Sequence, residues 1–270
     1  MKIWKTIFLG ILFAATLNAQ NRIVPLLNLQ IKGLMGGTEN GKFLDAKTTV
    51  RKLSAQNKYR IFEPGKVNVA EMIFAKPSNS MDVCQHFYGI TEADFSKTEN
   101  LKGIAVGANA AWKILPRLPK KIDLTRAEYK KAVSAALRAK GIITKTIKLT
   151  QAFRIDLEGD GTEEVLITAT NYAGGVSSSA KKNEYSFVLM RKIIGGEARN
   201  FVVSGDFITK KVDFGAPMEY EISSIADLNG DGKMELVVYA QYYEGGSVEV
   251  FEMKAGKLSS VKTLNVGCGV

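Results

Sequence analysis

Histidine and cysteine are almost absent: His86 is the single histidine in 270 residues, and Cys84 and Cys268 are the only cysteines. A His-ligated zinc or a Ser–His–Asp triad would have to be built around His86 alone. There is no Cys-x-x-Cys, no His-Glu-x-x-His and no Gly-x-Ser-x-Gly elbow. Asp213-Phe214-Gly215 stands without its kinase companions. The run from Gly36 to Phe43 falls one residue short of a phosphate-binding loop, because Phe43 stands where a Ser or Thr would hold Mg²⁺. Long basic blocks are also missing. The densest pairs are Lys120-Lys121, Lys130-Lys131 and Lys181-Lys182, so the basic surface reads as solvated, with no nucleic-acid partner expected.

One segment is an address. Lys2 and Lys5 precede an apolar run from Ile7 to Leu17 and the small residue Ala19. This is the order of a secretory signal peptide, residues 1–19, cleaved between Ala19 and Gln20. The run is too short to span a bilayer, which takes roughly 20 residues, and no transmembrane span is expected elsewhere. The mature chain is therefore expected to be secreted or periplasmic. Removing Lys2 and Lys5 lowers the formal net charge from +10 to +8 (35 − 27). Retention on an anionic polymer such as heparin, lost with modest salt, would mark the basic surface as a binding one. In an oxidising compartment Cys84 and Cys268 read as a disulfide. It would close a loop of about 185 residues, and the chain-entropy model gives such a bridge roughly 4 to 5 kcal/mol as an upper figure.

The whole 270-residue chain is 46% hydrophobic and 24% charged, a globular composition. Residues 20–122 show short apolar stretches cut by turn signals, including Gly36-Gly37, Pro64-Gly65 and Pro77-Ser78-Asn79, and are expected to be β-rich. Asn40-Gly41 between Thr38-Glu39 and Lys42-Phe43 predicts a type I′ hairpin. Residues 123–141 predict one helix, with Thr125 as N-cap, Glu128 completing a capping box and Gly141 as the stop. Its stripe of Tyr129, Val133, Ala136 and Leu137 is expected to pack on a sheet. Residues 142–270 are expected to be all-β, with strands over 165–170, 185–190, 201–203, 236–239 and 248–251.

That last region repeats itself. Asp156-Leu157-Glu158-Gly159-Asp160-Gly161-Thr162-Glu163-Glu164 matches Asp227-Leu228-Asn229-Gly230-Asp231-Gly232-Lys233-Met234-Glu235. Tyr172-Ala173-Gly174-Gly175 likewise matches Tyr243-Glu244-Gly245-Gly246, at the same offset of 71 residues (227 − 156; 243 − 172). Oxygen-bearing side chains fall at loop positions 1, 3, 5 and 9: Asp156, Glu158, Asp160 and Glu164, then Asp227, Asn229, Asp231 and Glu235. The carbonyls of Thr162 and Lys233 at position 7 add an oxygen to each set. A hard cation such as Ca²⁺, which takes about six to eight oxygens at roughly 2.3–2.6 Å, suits these donors. Without a cation, three carboxylates in one loop repel. The competing reading is an Asp-and-Gly β-turn that needs no metal. An EF-hand is excluded, because position 12 is Ile167 or Val238 and each loop runs into a strand.

The loops resemble the calcium loops of FG-GAP/VCBS-type repeats, the integrin-α-like blade module, over roughly residues 150 to 252. Glu158 stands where Asp or Asn is usual, and the Tyr-x-Gly-Gly turns replace the Gly-Ala-Pro expected after the strand. The chain as a whole looks like secreted bacterial proteins with such loops near the C-terminus, which implies no activity. The fold expected is mainly β, an α+β chain with one clear helix. Two blade-like β repeats follow an N-terminal β-rich region. Two repeats cannot close a propeller, which takes at least about four blades, so an open β unit is favoured. The function expected is a calcium-binding, non-enzymatic β-module with an extracellular protein or glycan as partner. The alternative is a secreted hydrolase acting on glycans, since spaced carboxylates are also its machinery.

Overall fold

The computed structural model describes residues 23–67, 70–78, 84–90, 102–172 and 175–269. The expected signal peptide, Asn79 of one turn, and Ala173-Gly174 of the first Tyr-x-Gly-Gly turn lie outside the described residues.

The first sheet comprises β1 (Val24–Asn28), β2 (Gly33–Glu39), β3 (Lys42–Asp45), β4 (Gln56–Phe62), β5 (Ala70–Ala75) and β6 (Ile104–Gly107). Its order is β3-β2-β1-β6-β4-β5, with every neighbouring pair antiparallel. Asn40 and Gly41 join β2 to β3 with φ of 52° and 74°, the two positive values a type I′ turn demands. The near-match to a phosphate loop is therefore a hairpin, in which Lys42 and Phe43 open a strand and not a helix. A helix that the sequence pattern does not announce, α1 (Ala46–Lys52), follows directly. Its seven residues are too few for a periodic stripe. It is started by Asp45, whose Oδ1 accepts the Thr48 N–H at 2.6 Å.

The expected second-half helix is α2 (Ala127–Ala139), and it ends as predicted. Gly141 has φ of 77°, its N–H donates to the Arg138 carbonyl, and the Ile142 N–H donates to the Leu137 carbonyl. This is a Schellman stop with Ile142 and Leu137 in one apolar cluster. The capping box does not form. Thr125 instead turns onto Asp123, which takes both its N–H at 2.9 Å and its hydroxyl at 2.7 Å, while Glu128 pairs with Arg126. An Asp two residues away reaches Thr125 before the helix begins, so the helix starts at Ala127 without a side-chain cap.

The second sheet is β7 (Lys120–Lys121), β8 (Leu149–Ile155), β9 (Glu164–Thr170), β10 (Tyr185–Ile194) and β11 (Glu197–Phe207), ordered β11-β10-β9-β8-β7. The third is β12 (Glu219–Ala226), β13 (Glu235–Tyr242), β14 (Gly245–Lys254) and β15 (Lys257–Ser260), with β16 (Val266–Gly269) beside β15 on the same edge of β14. Each repeat is thus an antiparallel four-strand meander whose acidic loop joins its first and second strands. The chain is mostly β, in three open antiparallel sheets, and the described residues form no closed barrel or propeller.

Layer order follows from the period-2 alternation of side chains. On β9, Val165, Ile167 and Ala169 face α2, while Leu166 faces the third sheet. On β13, Leu236 and Val238 face the second sheet, while Val237 joins the first sheet's Leu26, Ile104 and Val106. The stack therefore runs α2, second sheet, third sheet, first sheet. The third sheet is covered on both faces, which is why β13 carries the unbroken apolar run Leu236–Tyr239. Cys84 and Cys268 form the expected disulfide and fasten β16 to the first half.

Candidate functional site

The two acidic loops have one skeleton. In each, a strand ends at Ile155 or Ala226 and an Asp follows, with a leucine (Leu157 or Leu228) buried completely in the core. Asp156 accepts the N–H groups of Gly159, Asp160 and Gly161 at 2.6, 3.2 and 3.0 Å. Asp227 accepts those of Gly230 and Gly232 at 2.6 and 2.9 Å. At position 5, Asp160 and Asp231 each take the N–H two residues on, from Thr162 and Lys233, both at 2.8 Å. At position 9, Glu164 accepts the Leu157 N–H at 3.0 Å and Glu235 the Leu228 N–H at 2.7 Å. Position 6 needs glycine for its backbone: Gly161 and Gly232 have φ of 86° and 83°.

The loops also touch. The Met234 N–H donates to the Leu157 carbonyl at 2.8 Å, which sets the second loop against the first. Arg117, from the connector before β7, donates to the carbonyls of Asp156 at 2.6 Å, Leu157 at 3.3 Å and Gly232 at 2.8 Å. Trp112 donates its indole N–H to the Asp227 carbonyl at 2.9 Å, and its ring lies over Gly230, where a Cβ would meet it at 2.9 Å. The predicted residues are thus gathered at one end of two neighbouring sheets.

Their electrostatics differ. Glu164 is fully buried, and the Lys192 ammonium lies 3.0 Å from its Oε1 while also pairing with Glu158. Lys192 itself is 8% exposed. Burial alone would lower its pKa, but the two carboxylates hold it above the ordinary lysine value. Asp156 is held below its ordinary value: its three backbone N–H bonds and the Arg117 charge outweigh its burial. In the second loop Asp227 is 2% exposed and Glu235 1%. Among the described residues no Lys or Arg pairs with Asp227, Asp231 or Glu235. Burial lifts Asp227, and it pushes Glu235 up to about 9, with the Asp231, Asp227 and Glu252 carboxylates adding to the effect on Glu235.

Sequence periodicity misses Lys192, Arg117 and Trp112. Lys192 follows Arg191, the ladder partner of Val165, whereas Glu252 follows Phe251, the partner of Leu236. The two hairpins differ in length, so these structural equivalents do not share the offset of the loops.

Residues 220–251 match the FG-GAP repeat. The match covers most of β12, the second acidic loop, β13 and most of β14, and agrees with the resemblance read from the loops. The FG-GAP repeat is a β-rich module, as the third sheet is here. No curated protein and no solved structure matches the chain.

As they stand, no three His, Cys, Asp or Glu side chains among the described residues converge on a metal position, because the carboxylates turn onto loop amides. The donor chemistry of the second loop still fits a hard cation: three carboxylates and the Asn229 amide lie in one loop, and among the described residues no Lys or Arg is paired with those carboxylates. The first loop fits less well, since Lys192 already sits against Glu158 and Glu164.

Proposed function

We propose that the chain is a secreted calcium-dependent β-module that binds a protein or glycan and carries out no catalysis. The FG-GAP match supports Ca²⁺, and the observation that carries the reading is the second loop. Asp227 and Glu235 are buried with no cationic side chain against them, and a buried carboxylate needs a partner or a proton. Ca²⁺ held by Asp227, Asn229, Asp231, Glu235 and the Lys233 carbonyl would supply that partner. The disulfide supports an oxidising compartment. No helix among the described residues is long and apolar enough to cross a membrane.

A groove of about 370 Å³, lined from the end of β4, from β7 and β8 and by Glu221 of β12, supports binding over hydrolysis. Two of its acids are tied down: Glu63 by Lys66 at 2.6 Å and Glu221 by Lys102 at 3.2 Å. Release of reducing sugar from a polysaccharide panel would overturn the non-enzymatic reading.

The test of the ion is thermal unfolding of the mature, oxidised protein in Ca²⁺, Mg²⁺ or EDTA, beside Asp227→Ala. At tenfold excess over Kd, one site adds roughly 1.4 kcal/mol, about 3–6 °C in a chain of this size. Asp227→Ala abolishes the Ca²⁺-dependent rise. An equal loss with and without Ca²⁺ refutes the reading.

A further inference from the structure

The two loops share a skeleton but not a counter-charge. In the first, a fully buried Glu164 and the unusual Glu158 both meet the Lys192 ammonium, which β10 brings in from the neighbouring strand. Glu158 is one carbon longer than the Asp or Asn usual at that position, and it spends that length on Lys192. A divalent ion added there would sit within a few ångströms of a buried ammonium, in a low-dielectric setting where like charges repel strongly. In the second loop the equivalent ladder position is Glu252, one residue past the Phe251–Leu236 pair. Its carboxylate reaches out to the exposed Lys254 at 2.7 Å, so no cation is delivered inward. Position 3 there is Asn229, too short and neutral to bind an ammonium in the same way.

We propose that the Lys192 ammonium is the resident cation of the first loop, so the chain takes one divalent ion, at the second loop, rather than two. The ion count rests on the calcium reading of the second loop; the role of Lys192 does not. One loop thereby carries its counter-charge within the chain, and the other takes its counter-charge from the ion. The same exchange explains why Glu158 departs from the family pattern in the loop where Lys192 is present.

The test is the number of Ca²⁺ bound per mature, oxidised chain, by equilibrium dialysis and metal analysis, with melting temperatures in Ca²⁺ and EDTA. Wild type binds one. Lys192→Gln frees Glu158 and Glu164 and binds two, and its melting temperature falls in EDTA but recovers in Ca²⁺. Glu252→Lys, the reciprocal change, binds none and melts higher in EDTA than wild type. Two ions on wild type, or a folded Lys192→Gln that gains no site, overturn the inference. If Lys192→Gln folds only with Ca²⁺, that rescue supports it, and absence of rescue counts against it. No ion on wild type defeats the calcium reading alone: Lys192→Gln then still decides, one ion gained supporting the role of Lys192 and none refuting it.

Discussion

Arg117→Ala is the sharpest probe of how the two repeats are held together. The guanidinium makes two well-formed bonds, to the Asp156 carbonyl at 2.6 Å and the Gly232 carbonyl at 2.8 Å, and a longer one to Leu157 at 3.3 Å. Arg117 is only partly buried, so each good bond contributes near the lower end for a charged donor, about 1.5 kcal/mol. Truncation releases roughly 1 to 1.5 kcal/mol of side-chain entropy in compensation. The net loss is about 2 kcal/mol, or ~4–8 °C in melting temperature for a chain of this size. The assay is urea unfolding in EDTA, which keeps ion binding out of the comparison. Arg117→Lys offers a single ammonium and reaches one carbonyl at a time, so it recovers less than half of the loss. A loss below about 0.5 kcal/mol, the scale of an ordinary surface change, or full recovery by Lys, would refute the clamp.

Two further outcomes follow from the structure. Replacing Cys84 and Cys268 by Ser removes a bridge between residues 184 apart and lowers stability by up to ~5 kcal/mol on the chain-entropy model; equal urea midpoints for oxidised and substituted protein would exclude that role. Burial holds Asp206 above its ordinary 3.8, although it accepts the Met218 N–H and the Tyr220 hydroxyl. The stabilisation from its neutral form is complete below 3.8 and is lost as pH rises through the higher folded value. Asp206→Asn therefore gains on wild type as pH rises over that range, in matched melting curves, and parallel curves would contradict this.

Much of the fold was legible because its signals are local. Asn40-Gly41, the Gly141 stop and the branched runs of β9, β10, β13 and β14 act through the backbone preferences of a few neighbouring residues. The short helix α1 was not legible, since Asp45 and seven residues make one cap without a period. The absence of the Thr125 cap was equally hidden, because a competing Asp123 lies outside the capping pattern. Of the site, all the loop acids were legible, as both copies keep one spacing and bend on the same glycines. Their partners were not: Trp112 and Arg117 come from a connector, and Lys192 from a strand reached through a hairpin of different length.

The sequence by itself determined the compartment expected for the chain, the repeat, the acidic loops and the cysteine pair. Each is written in residue type and spacing along a short stretch, or in the sole pairing two cysteines allow. Only the tertiary structure decided that the third sheet lies between the other two, and that one loop faces Lys192 while its copy faces Glu252. Strand pairing sets which side chains meet across the ladder, and the charge a buried carboxylate meets there depends on that register, not on its distance along the chain.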